Sequence, residues 1–146
     1  LGNAIPGAMP RAAIDVRPQR EGLTGTIRRL AGLPVTARSG QQLELAATVR
    51  NLSTRPFPAQ ASYGRRLVRL GAQLCAADGT LINRDYERAW LPGHLQAGAT
   101  MEIPITVKAP EAPGRYRLKF DLVSEGIDWF EQNGSPTAVK DLIVVT

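Results

Sequence analysis

The chain has 146 residues, 43% of them hydrophobic, which is the size and apolar content of one globular domain. Cys75 is the only cysteine, so neither an intramolecular disulfide nor a cysteine-based zinc site can form, and its apolar neighbours predict a small buried side chain. No apolar run approaches the roughly 20 residues of a membrane span. The net charge of +5 comes from basic residues scattered in ones and twos, which argues against nucleic-acid binding.

The beginning of the chain differs from the rest in composition. Residues 1–10 are rich in Gly, Pro and Ala, and we expect a flexible lead-in there, followed by a single domain over residues 11–146. Because the first residue is not methionine, we expect the chain to be a segment of a longer protein. Ala12–Val16 predicts an early strand, and Glu21–Pro34 fits either a short strand or a single helical turn.

Short runs of alternating apolar and polar residues fill the remaining sequence, separated by Gly, Pro, Asn and Asp. The predicted strands are Leu43–Asn51, Leu67–Cys75, Thr80–Asn83 after an Asp78-Gly79 turn, Thr100–Val107, Arg115–Val123 and Ala138–Val145. With the two earlier segments this makes about seven to nine strands, which is typical of an antiparallel immunoglobulin-like β-sandwich. The fold class is therefore predicted to be all-β.

The alternation also assigns side chains to faces. The predicted core includes Leu45, Val49, Ile103, Ile105, Leu118 and Phe120. Asp121 falls on the outward face of its strand. Pro104 cannot donate to a sheet ladder, so we expect it at a sheet edge or with its missing N–H facing solvent. Tyr116 follows a Pro-rich turn and is predicted to form a tyrosine corner, with its phenol bonded to upstream backbone.

The chain carries no pattern typical of a catalytic site. His94 is the only histidine, and its loop context predicts a plain exposed residue. Glu125, Asp128 and Glu131 gather in one short segment, where a solvated loop or a ligand-binding rim is favoured over an acid–base pair. We therefore expect no enzyme activity, no metal site and no cofactor.

Two tryptophans are the candidate binding residues. Trp129 and Phe130 are adjacent, and neighbours on a strand face opposite ways, so one should pack inward while the other caps a sheet end or a groove. The alternative is that both seal the core. Trp90 either packs in the core or at an edge, or covers the same sheet. A flat indole face can stack on a sugar ring while nearby polar groups bond its hydroxyls.

A family resemblance extends over residues 39–145. Ser39–Leu45 leading to Val49-Arg50-Asn51 is similar to adhesion-type and fibronectin-like sandwiches, and Leu95–Tyr116 looks like the second half of that module. The ending, Leu122–Phe130, resembles sandwich domains of bacterial polysaccharide-assembly proteins. One example is the C-terminal glycan-binding domain of the ATP-binding subunits of O-antigen exporters.

This resemblance implies a non-catalytic accessory domain that binds bacterial surface polysaccharide during its synthesis or export. Trp129 or Trp90 would stack on the glycan, while Glu125, Asp128 and Arg84 would contact its hydroxyls. The expected location is cytoplasmic, with any membrane association supplied by the rest of the parent protein. The alternative is a spacer or protein-interaction domain that forms a homodimer, for example through an edge strand.

Overall fold

The computed structural model describes residues 22–32, 34, 36–59 and 67–146; the expected lead-in and the early strand Ala12–Val16 lie outside them. Within these residues the elements are β1 Gly25–Ala31, β2 Thr36–Arg38, β3 Gln42–Asn51, β4 Val68–Ala76, β5 Leu81–Trp90, β6 Thr100–Lys108, β7 Gly114–Ser124, β8 Asp128–Trp129, a 3₁₀ helix Phe130–Asn133 and β9 Ala138–Val145. No helix in this part of the chain has the length and apolar content needed to cross a membrane.

The strands form two sheets that pack face to face. One sheet has the order β1-β3-β6, and the other has the order β2-β9-β7-β4-β5, with β8 pairing with β7. The pair β2–β9 is parallel, and the other pairings of the described strands are antiparallel. The prediction of an all-β, immunoglobulin-like sandwich is confirmed. The segment Glu21–Pro34, which fitted either a short strand or a single helical turn, contains strand β1.

The core lies between the two sheets, where the alternating apolar residues meet. All six predicted core residues are buried: Leu45, Val49, Ile103, Ile105, Leu118 and Phe120. Cys75 is buried as well, as expected for a small apolar side chain. The period-two pattern therefore identified the inward faces of β3, β6 and β7 correctly, because each of these strands places one side in the core.

Two local predictions about single residues also hold. Pro104 lies on β6, which is an edge strand of the smaller sheet, so its missing N–H leaves no gap between two ladders. The Tyr116 hydroxyl donates to the Ala112 carbonyl at 2.7 Å, which is the back-bond of a tyrosine corner. The Tyr116 bond spans the turn between β6 and β7.

Asn51, at the end of β3, organises the loops at one end of the sandwich. Its side chain is fully buried, and its amide nitrogen donates to the carbonyls of Arg55 at 2.8 Å and Leu95 at 3.0 Å. Its amide oxygen accepts the backbone N–H of Ser53 at 2.8 Å. One side chain thus bonds three backbone groups of these loops, and the Leu95 carbonyl also accepts the N–H of Phe57 at 2.8 Å.

β5 runs to Trp90, well beyond the predicted end at Asn83. Its register against β4 shifts twice, between Ala72 and Leu74 and again between Leu74 and Cys75. Residues 81–85 of β5 are all exposed and residues 86–88 are half-buried, so no regular alternation marks the strand in sequence. The strand was underpredicted for this reason.

Candidate functional site

The candidate site lies on the outer face of the larger sheet, along its inner strand β4. Val68, Leu70, Ala72 and Leu74 of β4 are buried in the core, so the alternate residues Arg69, Gly71, Gln73 and Cys75 face outward. Gln73 and Cys75 are nevertheless only 5% exposed. Neighbouring side chains therefore build walls around this part of the face.

Those walls enclose a groove of about 350 Å³, which we call the first groove. It is lined by Gln73, Cys75, Gly79, Leu81, Arg84, Lys119, Trp129, Glu131 and Gln132. The side-chain amide of Gln73 makes no hydrogen bond within the described part of the chain, and Arg84 pairs there with no carboxylate. Lys119 and Glu131 pair with each other at 2.7 Å. The first groove thus offers an unengaged amide on its floor and an unengaged guanidinium on its wall.

Trp129 is half-buried and forms one end of the first groove. Its ring lies against Gly71, where an added Cβ would sit 2.7 Å from two ring carbons. The guanidinium of Arg88 lies 4.5 Å from the ring centroid, so one face of the indole is covered by a cation. Phe130, the next residue, is fully buried and packs edge-on against Phe57. The two adjacent aromatics therefore divide between groove and core.

Trp90 belongs to the same outer face but is more open. It is 56% exposed, and the guanidinium of Arg69 covers one face of its ring at 3.8 Å. Glu125 links the two tryptophan environments, since Oε2 lies 3.0 Å from Arg88 Nε and 3.7 Å from Arg69 Nε. The indoles of Trp90 and Trp129, the guanidiniums of Arg69 and Arg88 and the Glu125 carboxylate thus form one row of contacts across the outer face of the sheet.

A second concavity, of about 230 Å³, lies on the other side of Trp129. It is lined by Arg88, Val123, Ser124, Glu125, Gly126, Ile127, Asp128, Trp129 and Gln132. The predicted site residues are therefore divided. Glu125 and Asp128 line the second concavity, Arg84 lines the first groove, Trp129 lines both, and Trp90 lies on β5 beside Arg69.

Asp121 corrects the sequence assignment of an outward, solvated position. It is 1% exposed, because the 3₁₀ helix lies over it and Glu131 donates its backbone N–H to Oδ2 at 2.8 Å. Oδ1 accepts the N–H of Leu122 at 2.8 Å. Burial raises the pKa of this carboxyl to about 7, with the two N–H bonds and Lys119 opposing the rise and Glu131 adding to it. Asp121 thus anchors the segment that carries Trp129.

Sequence reasoning missed the polar floor of the site. Gln73 stands inside the apolar run Leu70–Ala77, and a lone amide in such a run was the available signal. Gly71 gave no comparable signal, because its role depends on a ring that comes from β8. No group of three or more metal-ligating side chains occurs in the described ranges. The site can therefore offer hydrogen bonds, an indole and a guanidinium to a ligand.

Comparisons with proteins of known structure support the β-sandwich fold and show nothing more specific about this chain. No protein-family model matches the chain, and no curated protein matches it. A β-glucosidase from Listeria innocua in complex with glucose aligns with a TM-score of 0.51 at 17% identity, over 85% of this chain and 16% of that one. The CARDB domain of a Pyrococcus furiosus protein, crystallised with di-metal ions, aligns with a TM-score of 0.48 at 19% identity, over 84% and 87%.

The fold and the outer-face site together define an immunoglobulin-like β-sandwich domain with a polar groove. At these identities the structural likeness shows the fold alone. No sequence match supports the expected link to the glycan-binding domains of O-antigen exporters, so this link stays a hypothesis.

Proposed function

We propose that this chain is a non-catalytic accessory domain that binds carbohydrate in the first groove, with bacterial surface polysaccharide of the O-antigen type as its ligand. The observation that carries the proposal is the Gln73 amide. It is 5% exposed, opens onto the groove and makes no hydrogen bond to the described residues. The amide can both donate and accept, so a ligand hydroxyl in the groove can exchange hydrogen bonds with it.

The walls of the groove fit the same ligand chemistry. Arg84 and the amide of Gln132 are placed to bond hydroxyls, and the uncovered part of the Trp129 indole offers an apolar surface to a sugar ring. One indole and a few hydrogen bonds give modest energy. We therefore expect a dissociation constant on the order of micromolar to millimolar for the isolated domain.

The arrangement of the acidic groups supports a non-catalytic role. Glu125 is shared by Arg69 and Arg88, and Glu131 pairs with Lys119. A glycosidase needs two carboxyl groups free to exchange protons with the ligand on either side of the scissile bond. His94 accepts the backbone N–H of Ala59 at 2.9 Å through Nδ1, which fits a loop-fixing residue.

The test is a titration of purified bacterial O-polysaccharides against the domain, followed by tryptophan fluorescence. Wild type should show saturable binding to at least one of them, and Gln73→Leu should weaken it about fivefold through the lost hydrogen bond. Gln96→Leu makes the same change at an exposed loop position and should bind like wild type. No saturable response from any polysaccharide would overturn the proposal, as would equal losses in both variants.

A second candidate is protein interaction through the edge strand β5. This strand exposes Leu81, Ile82 and Trp90 at 41%, 54% and 56%, and among the described strands it pairs on one side only. An exposed apolar edge is a template for pairing with another chain. If it mediates a homodimer, sedimentation equilibrium should show concentration-dependent association that Ile82→Lys abolishes. A monomer at all concentrations would reject the homodimer.

A further inference from the structure

Trp129 stands between two concavities on one face of the sheet. The first groove and the second concavity share Trp129 and Gln132 as lining residues. The backbone N–H of Trp129 donates to Gln132 Oε1 at 2.9 Å, which fixes the two residues as one partition. Because Gly71 has no side chain, the indole lies low on the sheet at this partition.

The two concavities lie at successive levels in the direction of β4, although the second is lined by residues of β5, β7 and the segment 125–132. The first groove lies over its outward residues Gln73 and Cys75. The second concavity contains Val123, which pairs with Arg69 at the start of the strand. Residues 69 to 75 span six steps of an extended strand, which is about 20 Å. The face therefore has the length of a ligand with several units, crossed near its middle by one indole.

The second concavity has its own contact groups. Ile127 is half-buried there and gives an apolar surface, while Glu125 and Asp128 place carboxylates on the rim. These groups resemble those of the first groove in kind, since each side combines polar atoms with part of the same indole. A ligand with repeated sugar units would meet similar chemistry on both sides of Trp129.

We infer that the site takes an extended oligosaccharide running in the direction of β4, with sugar units on both sides of Trp129, in preference to a single sugar. This inference rests on the proposed function, because it assigns the length of the ligand to the same site. It predicts that affinity grows with chain length until both concavities are filled. It also predicts that a substitution in the first groove weakens the binding of fragments of every length, whereas a substitution in the second concavity weakens only the binding of longer fragments.

The experiment uses fragments of one, two, four and eight sugars released from an O-polysaccharide that binds. Wild type should bind the four-sugar fragment about tenfold more tightly than the single sugar, since the longer fragment gains contacts worth about one hydrogen bond and one apolar group. Gln73→Leu should weaken binding at every length. Ile127→Ala should weaken only the longer fragments, by about threefold to fivefold, and Ile82→Ala on β5 is its matched control.

The outcomes separate the two proposals. Affinity that is independent of length, or an Ile127→Ala variant that binds the long fragments like wild type, would overturn the extended site and leave carbohydrate binding standing. Absence of binding to every polysaccharide tested would overturn both. Thermal unfolding of each variant shows whether it is folded, and Ile127→Val replaces the alanine variant if that one does not fold.

Discussion

Asp121 makes the stability of this domain depend on pH in an unusual direction. Its pKa is 3.8 in the unfolded chain and about 7 in the folded protein. Between these values the folded protein binds more protons than the unfolded chain, so the free energy of unfolding falls as pH rises through this window. A shift of about three units corresponds to about 4 kcal/mol in total, of which about 2.5 kcal/mol is lost between pH 5 and pH 8.

Urea unfolding at pH 5 and pH 8, followed by tryptophan fluorescence, measures this loss. Asp121→Asn removes the titrating group, and its unfolding free energy should change by about 2.5 kcal/mol less than that of wild type between the two pH values. Asp141→Asn also removes one negative charge from the same sheet, at an exposed position, and should keep the wild-type dependence. Equal pH dependence in wild type and Asp121→Asn would refute the reasoning.

Three further predictions concern single side chains. Phe120→Ala should lower the free energy of unfolding by about 3–5 kcal/mol, because the ring is fully buried, and a loss below about 1 kcal/mol in urea unfolding would contradict its core position. Gly71→Ala should displace the Trp129 ring, shifting its fluorescence and weakening glycan binding, whereas Gly93→Ala, where an added Cβ meets nothing within 4 Å, should change neither. Asn51→Ala should cost about 2–3 kcal/mol by removing the three hydrogen bonds of a fully buried side chain, and an unchanged urea midpoint would contradict that role.

The sequence by itself determined the class of fold and much of the core. Strands β3 and β6 each have one side in the core and one in water, so the residue order shows a period-two pattern, and the same pattern identifies the inward face of β7. The tyrosine corner at Tyr116 was also predictable, because the turn and the strand start are local features. β5 was shortened in the prediction because residues 81–85 are all exposed and residues 86–88 are half-buried, so no alternation marks the strand.

The site depended on contacts between segments that are distant in sequence, and only the tertiary structure decided it. Asp121 alternates as an outward residue, but the 3₁₀ helix folds back over it and excludes water. Trp129 lies over Gly71, and Arg88 meets the same ring from β5, because pairing places β8 and β5 on opposite sides of β4 and β7. Composition and spacing specify which side chains are available. Which of them share a groove depends on strand order and register, since these set the neighbours across the sheet.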